Sequence, residues 1–359
     1  GLRFVTLGLW LSLGAICGWL VQRLTQSWLW GLTTFLLSCL YLDAIVKEPG
    51  HPQGLVAIGM TLIPLTATLM RRGRLLRGWL LIGLLTAAVA QIKLNAGVYT
   101  LAAVSIVLLG LLDPGPWRTR LLALAALGSL LFPFLLMFPL LGETNSIAFA
   151  LIVGLSAAGV ALLLNEVEVT TGSFRPALLM FLGGFTATTL SALVYAGLKG
   201  ATAFDSVDSL LQYSGSQLDF YHFFSRYSYL QIALALVSFA TAIYVLGRGV
   251  DRVERWKISA AKLLLVAAAV YALVSDSPAT SQAMLGYAGP WCWVLLASPA
   301  GHGLLSRSLL AATAVWAPLL AYPMPGSQLY FGSLGILLLA IVVAADLVAA
   351  VQTLSLIHI

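Results

Sequence analysis

The chain has 359 residues, of which 60% are hydrophobic and only 9% carry a formal charge, and its net charge is +6. A mean hydropathy of +0.97 excludes an ordinary water-soluble domain, in which about a quarter of the residues are charged. Long apolar runs recur throughout the sequence. We therefore predict an all-α, polytopic bundle of transmembrane helices in a lipid bilayer.

Thirteen apolar runs are predicted to be spans. In chain order they cover roughly 4–20, 29–42, 55–70, 79–90, 97–112, 121–141, 147–164, 177–198, 230–246, 258–274, 284–298, 308–321 and 329–351. Several are shorter than the roughly 20 residues that a straight span needs. We expect those within 79–112 and 284–321 to be tilted, kinked or only partly inserted.

The distribution of Lys and Arg predicts how the spans are oriented, because cytoplasmic loops carry more of both. If the loop from Arg71 to Arg77 is cytoplasmic, 14 of the 19 basic residues fall on its side of the membrane. The positive charge is therefore interpreted as a topology signal with some attraction to anionic lipid, and no nucleic-acid partner is expected. The outer loops are then 43–54, 91–96, 142–146, 199–229, 275–290 and 322–328.

The outer loop DAIVKEPGHPQG is rich in polar groups for so apolar a chain. Its candidate side chains are Asp43, Lys47, Glu48, His51 and Gln53. Two prolines deny helix to the segment and hold it semi-extended. We expect a stiff loop that fixes polar groups at the mouth of a cavity. The alternative is a solvated turn whose Lys–Glu pair contributes little.

The stretch AVAQIKLNAGVY interrupts a long apolar region with Gln91, Lys93 and Asn95. It is interpreted as a hairpin tip that points Lys93 into the outer half of the bundle. A lysine there provides a point charge for a phosphate group. The alternative is that Lys93 extends to the membrane surface while its stem stays in apolar surroundings.

Two later outer segments repeat this mixture of polar and aromatic residues. Asp219, His222 and Arg226 are spaced i, i+3 and i+7, which places them on one stripe of a helix, among several Phe and Tyr. That pattern suits a lipid phosphate or a sugar ring, although an aromatic belt at the membrane surface has a similar composition. The YPMPGSQ stretch places Gln328 at another outer turn.

Other residues are expected to serve packing. Cys17, Cys39 and Cys292 lie in apolar runs without a CxxC pair, which argues against a disulfide framework or a zinc site. Gly14 and Gly18 form a GxxxG pair of the kind that lets two helices approach closely.

Taken together, the EPGHPQ loop, the QIKLNAGVY tip, the aromatic HFF segment and the YPMPGSQ mouth resemble the GT-C superfamily of integral-membrane glycosyltransferases. The GHP-containing loop around Glu48 is similar to the ENGHPP or KPP loop of such enzymes. The resemblance implies transfer of a sugar from a polyprenyl-phosphate donor on the outer side of the membrane. It also implies a bacterial inner-membrane protein whose site faces the periplasm.

The resemblance also implies roles for individual residues. Glu48 and Asp43 are the candidate catalytic carboxylates, although the family's main base is expected before Gly1, in a part of the protein that precedes this fragment. Substrate contacts are expected from Lys47, His51, Gln53, Lys93, Asn95, Asp219, His222, Arg226 and Gln328. A divalent cation is a possible cofactor, but no ligand cluster in the sequence requires one. We treat 1–353 as one transmembrane domain and set aside 354–359, which resemble a translated sequencing adapter.

Two other functions remain open from the sequence. A lipid or sugar transporter, or a flippase, would favour internal repeats and ionisable groups near the membrane midplane. A polysaccharide polymerase or ligase of the O-antigen type would place Arg and His in a large outer loop, for which the 199–229 segment is the candidate.

Overall fold

A computed structural model describes residues 2–43, 52–70, 75–167, 173–200, 226–275, 279–297, 303–322 and 328–357. Every regular element in these ranges is helical, and none of the described residues belongs to a β-strand. The predicted all-α class is thereby confirmed for the part of the chain that the structure covers.

The helices follow the predicted order. Their bounds are α1 Leu2–Thr25, α2 Trp28–Tyr41, α3 Gln53–Leu69, α4 Leu75–Ile92, α5 Leu94–Leu109, α6 Pro116–Leu136, α7 Thr144–Leu163, α8 Phe174–Leu198, α9 Tyr229–Arg248, α10 Arg255–Val274, α11 Ala279–Ala283, α12 Leu304–Trp316 and α13 Gln328–Ile357. A π turn, Met284–Ala288, and a 3₁₀ segment, Gly289–Leu295, continue α11, and a second 3₁₀ segment, Ala317–Ala321, continues α12. Each predicted span thus coincides with a helical segment.

Nine of the described helical segments are long and apolar enough to cross a membrane, which indicates an integral membrane protein. Helices α2, α3 and α5 are apolar but shorter. Both regions that the sequence predicted to be irregular contain short or broken helices, but the short helices α2 and α3 lie outside them. One contains the short α5 between 79 and 112, and the other contains the broken helix 279–297.

The centre of the bundle is formed by α7 and α12. Most of their residues are buried, and α12 packs against α3, α5, α7 and α13. Helices α6 and α8 lie at the periphery and expose large apolar side chains, among them Leu124, Leu179 and Leu190. Such an outer surface is compatible with hydrocarbon on all sides.

Glycines allow the tightest helix contacts. A Cβ atom added at Gly18 of α1 would lie 2.7 Å from the carbonyl oxygen of Gly31 in α2, which confirms the predicted packing role of the GxxxG pair. Helices α4 and α8 approach each other in the same way. Gly83 of α4 lies against a backbone carbonyl of α8, and Gly184 of α8 lies against a backbone carbonyl of α4. The three cysteines are buried free thiols, as predicted.

The two ends of the bundle differ in character. At one end Arg23 donates to the carbonyl of Thr68, and the buried Arg118 donates to the carbonyls of Leu164 and Val167, just past the end of α7. A cation there satisfies carbonyls that the helix leaves open and complements its dipole. We call this the basic end; the opposite end, where α13 begins at Gln328, is the rim. The shared location of these arginines agrees with the predicted grouping of basic residues.

Candidate functional site

The centre of the candidate site is Lys93, which lies between α4 and α5. Its backbone is extended (φ −154°, ψ 109°) and separates the two helices. Gly97 packs directly on Ala90, so the chain reverses within a few residues. The predicted hairpin tip is therefore present, with Lys93 at its apex and half-buried.

Lys93 contacts Gln328, the first residue of α13. The lysine Nζ donates to Gln328 Oε1 at 2.8 Å, across 235 residues of sequence. Burial lowers the pKa of the Lys93 ammonium group. Within the described ranges no carboxylate pairs with Lys93, so this half-buried cation has an amide oxygen as its partner but no counter-ion. Such a group attracts an anion.

Gln53 begins α3 at the same end of the bundle. Its side chain is only 2% exposed, and neither its Oε1 nor its Nε2 has a hydrogen-bond partner among the described residues. An unsatisfied buried amide costs roughly 1–3 kcal/mol. It is therefore a natural contact for a polar ligand, because a ligand would recover that free energy.

Tyr41, Tyr330 and Ser333 form a hydroxyl cluster on the inner side of the rim. The hydroxyl oxygens of Tyr41 and Ser333 are 2.6 Å apart. The ring centroids of Tyr41 and Tyr330 are 5.4 Å apart. The sequence analysis did not single out these residues. The sequence signal for these residues is weak, because each is a single hydroxyl-bearing residue inside an apolar run.

An apolar cavity lies directly inward of these groups, between α3, α12 and α13. Its wall begins at Ala57 and Phe331, one helical turn beyond Gln53 and Gln328 respectively, and continues to Pro64 and Leu338. The rim thus combines a cation and amides at its mouth with hydrocarbon beneath them. The cavity measures about 30 Å³, far below the roughly 300–1,000 Å³ of a ligand pocket, so the polar groups of the rim, and not the cavity, are what this end offers a ligand.

The other described candidates lie near the same end but do not join Lys93. Asp43 is exposed at the end of α2, and Arg226 is exposed before α9. Asn95 is half-buried, and its Oδ1 accepts from the backbone N–H of Ala96. No described contact links these three side chains to Lys93 or to Gln328.

The remaining predicted site residues fall outside the described ranges. They are Lys47, Glu48, His51, Asp219 and His222. Among the residues that the structure does describe, no three His, Cys, Asp or Glu side chains come together in a way that could hold a metal ion. The expected divalent cation stays an expectation.

A second polar cluster, which the sequence analysis missed, lies near the basic end. Arg307 of α12 forms two hydrogen bonds to the carboxylate of Asp346 in α13, at 2.6 and 2.8 Å. Lys262 of α10 lies close enough for both charges to act on it. Arg307 and Lys262 had been counted as loop-side topology charges, but both are buried. Their position near the basic end agrees with the side that the sequence predicted for them, but they lie inside the bundle and not in a loop.

Comparison with known proteins gives no relative from which a function could be transferred. No protein-family model matches the chain, and no curated protein or solved structure matches it.

Proposed function

We propose that the protein is an integral-membrane glycosyltransferase that transfers a sugar from a polyprenyl-phosphate donor to an acceptor on the extracytoplasmic face. The observation that carries the proposal is the contact between Lys93 and Gln328. Two residues that the sequence analysis had singled out independently meet at the end of the bundle opposite the arginines. In a bacterium this end would face the periplasm.

The rim residues suit the chemistry of such a transfer. In the reaction, the acceptor hydroxyl attacks the anomeric carbon, the bond from that carbon to the phosphate oxygen breaks, and a carboxylate takes the hydroxyl proton. The polyprenyl phosphate leaves with the bonding electrons, and Lys93 would stabilise the negative charge that develops on it. Gln328 would hold the ammonium group in place, and Gln53 would bind the sugar or the phosphate.

Two carboxylates of the chain are candidates for the base. Asp43 is exposed near the rim, and Glu48 lies outside the described ranges. Either of them would serve as the base. A divalent cation could assist the phosphate, but the proposed mechanism does not require one.

The test is sugar transfer from a labelled polyprenyl-phosphate donor in membranes that contain the chain. We expect Lys93→Met to lower the rate about 100-fold, because a preorganised charge stabilises the leaving phosphate. Lys93→Arg should retain part of the rate, and Lys257→Met, an exposed lysine of the basic end, should retain all of it. Unchanged transfer in Lys93→Met and in Glu48→Gln would remove both residues from the mechanism.

A transporter is the second candidate, favoured by the broken helix 279–297. Its π turn and seven-residue 3₁₀ segment are almost entirely buried. Interrupted helices of this kind surround substrate sites in many transporters. Flipping of a fluorescent lipid-linked sugar in proteoliposomes, without any transfer to an acceptor, would favour this function over the transferase.

A further inference from the structure

The connection between α9 and α10 at the basic end carries three exposed arginines. Arg248 ends α9, Arg252 ends the 3₁₀ turn that follows it, and Arg255 begins α10. In the part of the chain that the structure describes, none of the three pairs with a carboxylate. The nearby Lys257 differs, because Glu254 binds it at 3.2 Å. The arginines therefore keep their charge available for an anionic partner.

Two aromatic side chains flank this group of cations. The guanidinium carbon of Arg248 lies 5.8 Å from the ring centroid of Tyr244, and the Nζ of Lys257 lies 5.6 Å from the same centroid. Trp256 is exposed and donates its indole N–H to the carboxylate of Glu254. Tyr and Trp with one polar edge gather at the boundary between hydrocarbon and headgroups. The aromatic pair therefore indicates that the connection lies at this boundary.

The lengths of the two helices give the same depth. Helices α9 and α10 have 20 residues each, which is about 30 Å at 1.5 Å per residue. The hydrocarbon core of a bilayer is also about 30 Å thick. Helix α9 begins at the rim and ends at Arg248, and α10 starts back from Arg255. With the rim at one boundary of the hydrocarbon, both arginines are at the other, where lipid phosphates begin.

Exposed apolar side chains continue from the connection along both helices. On α10, Trp256, Leu263 and Val270 follow one another at intervals of seven residues, which places them on one face. On α9, Tyr244 and Val237 share a face in the same way. All five are exposed. The acyl chains of a lipid whose headgroup contacts the arginines would cover these faces, whereas a water-soluble anionic partner would not.

We infer that Arg248, Arg252 and Arg255 form a docking surface for the headgroups of anionic phospholipids in the leaflet at the basic end. Arginine binds phosphate oxygens through two parallel hydrogen bonds, which suits it to this role. Tyr244 holds the guanidinium group of Arg248 beside the membrane surface. The surface is separate from the rim and does not depend on the proposed sugar transfer.

The test measures lipid binding to the full chain by native mass spectrometry and by thermal unfolding in nanodiscs. One set of nanodiscs contains phosphatidylglycerol in phosphatidylcholine, and the other contains phosphatidylcholine alone. We expect the wild type to retain phosphatidylglycerol and to unfold at a higher temperature when it is present. Inorganic phosphate added to the second set should give no stabilisation; stabilisation equal to that by the lipid would overturn the assignment to a lipid.

A triple variant tests the three arginines together. Arg248→Gln with Arg252→Gln and Arg255→Gln should retain phosphatidylglycerol about 100-fold less well, since each basic side chain near an anionic membrane surface contributes about fivefold. The corresponding triple substitution by Lys keeps the charges and should keep most of the retention. Unchanged retention in the Gln variant would overturn the proposal.

A matched triple variant separates this surface from the overall charge of the basic end. Arg77→Gln with Arg120→Gln and Arg175→Gln removes the same charge from exposed positions on α4, α6 and α8. It should retain phosphatidylglycerol nearly as well as the wild type, because these arginines lie on three separate helices. Equal losses in the two Gln variants would overturn the proposal. If the first variant does not fold, wild-type protein that shows no preference for phosphatidylglycerol would overturn it equally.

Discussion

The rim and the basic end both contain a buried or half-buried cation, but they hold it in different ways. At the rim, Lys93 has an amide oxygen as its partner, and Gln53, at the same end of the bundle, has no hydrogen-bond partner in the described part of the chain. At the basic end, Asp346 binds Arg307 through two hydrogen bonds and acts on Lys262. The first arrangement leaves polar groups available for a ligand, whereas the second is internally paired. This difference indicates that the rim can accept a polar ligand, whereas the Arg307–Asp346 pair at the basic end joins two helices.

The largest expected effect is at the basic end. Asp346→Ala should lower the free energy of unfolding by about 3–5 kcal/mol, because it leaves Arg307 buried without its carboxylate. Steric trapping or denaturant unfolding in mixed micelles measures the change.

The matched control for this variant is Glu254→Ala, which removes an exposed carboxylate paired with Lys257 and should leave stability unchanged. The double variant Arg307→Met with Asp346→Leu should be more stable than Asp346→Ala. If it is less stable, the loss does not come from an uncompensated charge.

The second prediction concerns the close contact between α8 and α4, the helix that leads to Lys93 at the rim. Gly184→Ala should cost about 2 kcal/mol, because the added methyl group would collide with the backbone of Leu80 and push the helices apart. Gly183→Ala is the control, since its Cβ would lie 4.0 Å from the Leu80 side chain. Because α4 leads to Lys93, the first variant should also reduce sugar transfer. Equal stability of the two variants would contradict this packing.

Gln328→Met tests the contact with Lys93 at the rim. It removes the acceptor that orients Lys93, so transfer should fall about tenfold while the fold is retained. Gln91→Met, an exposed amide two residues before Lys93, should have no effect. A rate for Gln328→Met that equals the wild type would show that the contact does not position the lysine for chemistry.

The smallest effect is expected from Tyr41→Phe. The variant removes the hydroxyl that contacts Ser333 and should cost about 1 kcal/mol of stability. The loss is limited because Ser333 still donates to the carbonyl of Leu329. Tyr195→Phe, on the exposed surface of α8, serves as the control. A change above about 3 kcal/mol would indicate that Tyr41 has a role beyond this hydrogen bond.

The sequence predicted the helices well because run length and hydropathy are local properties. Lys93 and Gln328 were also recognisable, since each is a polar residue at a break between apolar runs. Their contact was not predictable, because it joins segments that only the packing of α4, α5 and α13 brings together. Asp346 was missed because a single carboxylate in a long apolar run does not change the interpretation as a span. Without Asp346, Arg307 and Lys262 could only be counted as topology charges.

The most direct test of the account is side-specific labelling of single cysteines in sealed vesicles, with the three buried native cysteines retained. Asp43→Cys and Arg226→Cys report on the rim, and Thr119→Cys and Arg252→Cys report on the basic end; all four positions are exposed. A membrane-impermeant thiol reagent should label the first pair from one side of the membrane and the second pair from the other. Labelling of all four positions from the same side, or of either pair from both sides, would contradict the account.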